Sequence, residues 1–161
     1  DNGITGVTHL YNAMSPLHHR NPGLVGAAFD HPKVMASIIA DGFHVDYAAI
    51  KIAKKIMLQR LFAITDAVTT TNKGYYQHLP EGDKYTAGKI LSGSALTMYK
   101  AMQNLVTHCG IELAEALRMC SLYPARAVNM DDHLGRIAKG FNSKMILLPQ
   151  ASGNTGVRII S

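Results

Sequence analysis

The chain has 161 residues, 47% of them apolar, with 14 glycines, 6 prolines and 17% charged, the profile of a packed globular protein rather than a disordered or fibrous one. The formal charge of +5 is scattered along the chain and forms no run of the kind that binds nucleic acid; it suits an anionic small molecule at most. No stretch approaches the roughly 18 consecutive apolar residues a membrane helix needs, and the first residues lack the basic and apolar regions of a signal peptide, so neither nucleic acid nor membrane is expected as a partner and the expected location is the cytoplasm. The chain starts at Asp1 without Met, directly at a strand-like segment, which reads as a piece of a longer protein.

Three short runs rich in Ile, Val and Thr, residues 4–10, 34–40 and 61–65, are nearly continuous in apolar character, as strands buried on both faces are. Between the first two, residues 22–29 form a short helix candidate. Between the second and third, residues 46–57 place Ala49, Ile50, Ala53 and Ile56 at helical spacing, with lysines opposite and Asp46 suited to the N-cap. Residues 67–91 read as a loop, followed by two helices over 95–108 and 112–128 parted by Gly110. The β-α-β-α-β-α order argues for a parallel sheet with right-handed crossovers. Beyond residue 130 the character changes. A turn at Lys139 and Gly140 precedes a short strand at 145–148 and a strand-like tail at 157–160, which suggests a different β layer. Cys109 and Cys120 have no metal-ligand spacing and read as buried, reduced thiols.

The chemistry lies just after the strands. His9 follows the first, His44 the second and Asp66 the third, 35 and 22 residues apart, bracketing the ~30 residues per unit of a βα barrel. All three then rise from the carboxyl rim, where such barrels assemble their sites. Singly, a strand-end histidine is commonly a hydrogen-bonded structural residue and an aspartate before a helix a cap. Together, two imidazoles and a carboxylate suit metal-assisted hydrolysis: imidazole nitrogen suits Zn or Fe, the metal acidifies water, and the carboxylate moves the proton. His18, His19, His31, His78, His108 and His133 fall in loops or helix ends and receive no role.

THLYNAM at 8–14, RNPGLVGA at 20–27, ADGFHVD at 40–46, ITDA at 64–67, LSGSALTM at 91–98, LYPARAV at 122–128 and LGRIAKG at 134–140 carry, in family order, a resemblance to the N-acetylglucosamine-6-phosphate deacetylase family. It implies an α/β fold, the C-terminal portion of a (β/α)8 TIM barrel holding the last three βα units over residues 1–130, with residues 131–161 returning toward a small β-sandwich. It implies a divalent metal, Zn or Fe, with His9 as a ligand, and Asp66 as general base and acid. Substrate-binding positions are implied at Asn12, Ala13, Arg20, Asp41, Gly42, Phe43, His44, Leu91, Ser92 and Gly93. Arg20 offers a planar fork for phosphate. The 91–94 stretch is expected to be a turn opening a helix, with Ser92 or Ser94 as a cap and backbone N–H groups facing the ligand.

The implied reaction is hydrolysis of the acetamide of N-acetylglucosamine 6-phosphate, in a homodimer whose Arg20 reaches the neighbouring site. The rival readings are another amidohydrolase, such as a cyclic-imide hydrolase or deaminase, and a non-catalytic phosphosugar-binding fragment. The family's other metal ligands, a glutamate and a further histidine, fall before residue 1. After the glycine at 140 and one intervening residue the family usually reads Ala-Asp, where this chain has Phe141-Asn142-Ser143.

Overall fold

The computed structural model describes residues 3–74, 77–142, 144–148 and 158–160. Three parallel strands, β1 (Gly6–Val7), β2 (Met35–Ile39) and β3 (Leu61–Ile64), pair in the order β1-β2-β3. Helix α1 (Gly23–Asp30) crosses from β1 to β2, and α2 (Tyr47–Met57) with a short 3-10 turn crosses from β2 to β3. Register is regular, with Val7 opposite Ala36 and Ile39 opposite Ile64.

The middle strand is the one buried on both faces: Ala36, Ser37, Ile38 and Ile39 are all inaccessible. The edges depart from that expectation. β3 alternates, Leu61 and Ala63 being buried and Phe62 and Ile64 half-buried, while β1 is only two residues long and largely exposed. Gly6 contributes no side chain to pack, and Gly and Thr dilute the apolar run around it.

Helix α2 is capped by Asp46, whose Oδ1 accepts the Ala48 amide at 2.7 Å, as its sequence predicts. Its inward face, however, is Ile50, Ala53 and Met57, and Ile56 is left exposed. Three further helices, α3 (Met98–Thr107), α4 (Leu113–Cys120) and α5 (Leu122–Ala127), pack near β3 and complete a core of Leu10, Ile38, Ile50, Leu61, Leu105, Met119 and Tyr123. Gly110, at φ 65°, takes the left-handed position that ends α3. The second expected helix is two. Pro124 would oppose the carbonyl of residue 120 in a continuous helix, so the chain breaks at Ser121 and proline falls in the first turn of α5, where its missing N–H costs nothing.

The expected loop at 67–91 contains instead an antiparallel sheet of β4 (Leu79–Glu81), β5 (Lys84–Ala87) and β6 (Ile90–Ser94). Two-residue turns join them, pairing Glu81 with Lys84 and Ala87 with Ile90. Gly82 and Gly88 occupy the first turn position with φ of 63° and 65°, a conformation suited to tight hairpins. Farther on, β7 (Met145–Leu147) and β8 (Arg158–Ile160) pair antiparallel as a separate sheet. The expected strand at 157–160 is met for Arg158–Ile160; Val157 and Ser143 lie outside the described residues.

Candidate active site

Because β1, β2 and β3 are parallel, their carboxyl ends share one rim. The strands end at Val7, Ile39 and Ile64, and His9, Asp41 and Asp66 each follow two residues later. Sequence order therefore becomes spatial convergence. His9 Nε2 lies 3.4 Å from Asp66 Oδ1, with both side chains about a third exposed to solvent (39% and 36%) and so open to a ligand.

The backbone at this rim is forced into an unusual shape. His9, Tyr11, Ala13 and Asp66 adopt φ of 58°, 77°, 55° and 50°, the left-handed region that costs residues with a Cβ on the order of 1–3 kcal/mol each. Part-buried hydrogen bonds hold that shape. Ser37 on β2 accepts the His9 amide on its Oγ at 2.9 Å, and its carbonyl accepts the Leu10 amide at 2.9 Å. Tyr11 Oη donates to the Ala49 carbonyl at 3.1 Å, tying the β1 loop to α2, and burial pushes this phenol above its ordinary pKa.

Asp66 is clamped from the other side by β6. The Ser94 amide donates to the Asp66 carbonyl at 3.0 Å, the Val68 amide donates to the Ser94 carbonyl at 3.1 Å, and Ser94 Oγ donates to the Thr65 carbonyl. This overturns the expected helix cap. Ser94 is fully buried, its backbone groups are spent on bonds to the Asp66 loop, and α3 starts later, capped by Thr97 accepting the Lys100 amide at 3.1 Å. Leu91, Ser92 and Gly93 thus lie on a strand, and no helix N-terminus faces a ligand from them. Ser92 Oγ meets His78 Nδ1 at 3.0 Å, and a Cβ on Gly93 would come within 2.7 Å of the Val68 methyls.

The loop after β2 is organised by Asp41. Its Oδ1 accepts the amides of Phe43 and His44 at 2.9 and 2.8 Å, and its Oδ2 meets His44 Nδ1 at 2.5 Å. Burial pushes the Asp41 carboxyl up, but the hydrogen bonds from the His44 ring and the two amides outweigh it, leaving it below the usual carboxylate value. Both Asp41 oxygens accept hydrogen bonds within the loop and the side chain is nearly closed to water, so its carboxylate buttresses His44. Gly42, at φ 79°, has no room for a Cβ, which would meet the Tyr47 ring at 2.9 Å. Burial, with the nearby Asp41 charge, raises the Tyr47 pKa. Asn104, buried on α3, donates to the Ala40 carbonyl at 2.8 Å and anchors the strand end.

Phe43 is half exposed and faces the hairpin sheet, with Lys84 Nζ 5.4 Å from its ring. Phe43, Leu91, Glu81, Lys84 and Thr86 border a groove of about 420 Å³. In the β1 loop, the Asn12 amide donates to the His9 carbonyl at 2.8 Å, and the exposed Ala13 follows it. Arg20 stands apart on an exposed loop, and among the described residues its guanidinium makes no hydrogen bond or ion pair.

An imidazole nitrogen and a carboxylate oxygen this close form a donor set suited to Zn or Fe. They are too few for a complete site, and among the described residues no cluster of three His, Cys, Asp or Glu side chains could hold a metal ion. Sequence reasoning missed Ser37 and Asn104, and it cast Ser94 as a helix cap. A lone polar residue inside an otherwise apolar run, Ser37 in VMASIIA, was the available signal for the first.

The sequence pattern of the Amidohydrolase family matches residues 1–155. The N-acetylglucosamine-6-phosphate deacetylase of Haemophilus influenzae is 40% identical over 149 residues, covering 86% of this chain and 39% of that protein. The N-acetylgalactosamine-6-phosphate deacetylase of Escherichia coli O157:H7 is 36% identical over 156 residues, covering 92% of this chain and 41% of that protein. The chain therefore spans about two fifths of the length of these relatives. The crystal structure of N-acetylglucosamine-6-phosphate deacetylase from Pasteurella multocida superposes with a TM-score of 0.83 at 36% identity, covering 88% of this chain and 40% of that one.

Proposed function

The chain belongs to the amidohydrolase family, and from that premise we propose that it supplies the proton-transfer side of an enzyme that hydrolyses the acetamide of N-acetylglucosamine 6-phosphate to glucosamine 6-phosphate and acetate. The observation that carries this reading is the approach of His9 Nε2 to Asp66 Oδ1, 3.4 Å apart at the carboxyl ends of two parallel strands and both on left-handed backbone. Residues 1–130 are the last three βα units of a (β/α)8 barrel and residues 131–161 the return toward a β-sandwich. The strand-helix order and the separate β7–β8 pair support that division.

Asp66 takes a proton from the attacking water as the C–O bond forms, then returns it to the amine nitrogen as the C–N bond breaks; the second water proton leaves with acetic acid, which ionises to acetate as the amine takes up that proton, and Asp66 is restored. His9 is one ligand of a divalent metal, Zn or Fe, completed by residues beyond those described. That metal, when bound, supplies Lewis-acid polarisation of the amide and acidifies water. His44, Asn12 and the backbone beside Ala13 orient the sugar phosphate, with Phe43, Leu91, Ser92 and Gly93 bordering it. Arg20, which has no partner of its own among the described residues, binds phosphate across the interface of a homodimer.

The E. coli O157:H7 relative, named for the galactosamine epimer, supports a second substrate at the same site. The test is Asp66→Asn in the polypeptide as produced natively, assayed for acetate release from both phosphosugars. Asparagine tolerates left-handed backbone and keeps the shape, so folding and metal content should hold while kcat falls at least ~100-fold. Near-normal turnover removes Asp66 from the mechanism.

A further inference from the structure

The geometry points to Asp41 as a positioning residue that sets which nitrogen of His44 is offered to the substrate. A neutral imidazole carries one proton, and the hydrogen bond made by one nitrogen decides the role of the other. Asp41 is an acceptor only, so Nδ1 must be the donor in the 2.5 Å contact and Nε2 the acceptor. The pair is nearly closed to water, with side chains 7% and 3% exposed, so solvent does not compete for that bond. No second hydrogen bond engages the ring among the described residues, and no buried side-chain nitrogen or oxygen there lacks a partner. Nε2, which has no partner there, is therefore the ring atom that keeps accessible surface for a ligand.

Orientation of Asp41 itself is over-determined. The amides of Phe43 and His44 both point at Oδ1, which leaves Oδ2 for the ring. Gly42 packs closely against the Tyr47 ring, which a Cβ at that position would meet at 2.9 Å. At the strand end below, Asn104 fixes the carbonyl of Ala40, immediately before Asp41. The role deepens the deacetylase reading, on which it rests only for what Nε2 faces.

Asp41→Asn separates positioning from folding. The two amides still need an oxygen, so the new side chain keeps Oδ1 where it was and turns its NH2 toward Nδ1. Nδ1 then becomes the acceptor and the ring proton moves to Nε2, inverting what the substrate meets. Nitrogen-15 NMR of the imidazole, at a pH where the ring is neutral, should show the proton on Nδ1 in the wild type and on Nε2 in the variant. In kinetics, KM for the phosphosugar should rise on the order of 10- to 100-fold, the fold-change expected when one buried hydrogen-bonding group loses its partner, with kcat changed little because Asp66 is untouched.

A wild-type ring protonated on Nε2 overturns the proposal. So does an unchanged tautomer in the variant, or an inverted tautomer with unchanged KM. The wild-type spectrum needs no variant and decides the matter alone should Asp41→Asn fail to fold. If the wild type hydrolyses neither phosphosugar, the functional reading fails, while the tautomer still tests the positioning role.

Discussion

Ser94→Ala probes the clamp on Asp66 without touching the candidate chemistry. Ser94 is fully buried; its hydroxyl donates to the Thr65 carbonyl and accepts the Leu96 amide at 3.1 Å. Alanine deletes both bonds and leaves a part-buried carbonyl and a buried amide unsatisfied. One such group costs about 1–3 kcal/mol, so the pair should cost about 2–4 kcal/mol after partial relaxation. At roughly 2–4 °C per kcal/mol for a chain of this size, the melting temperature should fall by about 5–15 °C. The backbone bonds from Ser94 to the Asp66 carbonyl and from Val68 to Ser94 survive, so the loop should loosen rather than unravel. Turnover should drop by roughly tenfold through misplacement of the carboxylate, less than in Asp66→Asn. Urea unfolding followed by circular dichroism, together with acetate release, reads both quantities. A midpoint within error of the wild type would refute the buried hydroxyl as a clamp, and a full loss of turnover with intact stability would assign it a direct role instead.

Arg20→Ala should raise KM for N-acetylglucosamine 6-phosphate far more than for the unphosphorylated sugar, because a charge-assisted bond to phosphate is worth about 1.5–3 kcal/mol; equal losses would assign the residue to structure. If Arg20 acts across an interface, mixing Arg20→Ala with Asp66→Asn subunits should restore part of the activity. The two thiols give a pH dependence. Burial raises the pKa of Cys109 to about 11 and of Cys120 to about 12, from 9.0. The folded chain therefore keeps protons that the unfolded chain loses, so both thiols resist iodoacetamide at pH 8 until urea is added, and stability falls as pH rises above about 9. Rapid labelling of the native protein would contradict this.

Much of the fold is legible in local pattern. The apolar runs, the Asp46 cap and Gly110 at the end of α3 depend on residues close in sequence, whose propensities act before any packing. The position of His9 and Asp66 after parallel strands follows from the same order, since parallel strands with short crossovers put their ends on one rim. Other features carried a local signal that a stronger one obscured: Pro124 breaking an apolar helical run, and Gly82 and Gly88 nucleating hairpins in a stretch too polar to read as strands. The support of the site belongs to another kind. That Ser37 would hold the amide of His9 and that Ser94 would be spent on the Asp66 loop rather than on a helix cap depend on which backbone groups lack partners once the strands are paired. A buried polar group must find a partner, and the partner available is set by tertiary neighbours 28 or 29 residues away for Ser37 and Ser94, beyond the reach of sequence periodicity. Residue types at the rim were thus written in the sequence, while their roles as ligand contact or buttress were decided only by the packing of the chain around them.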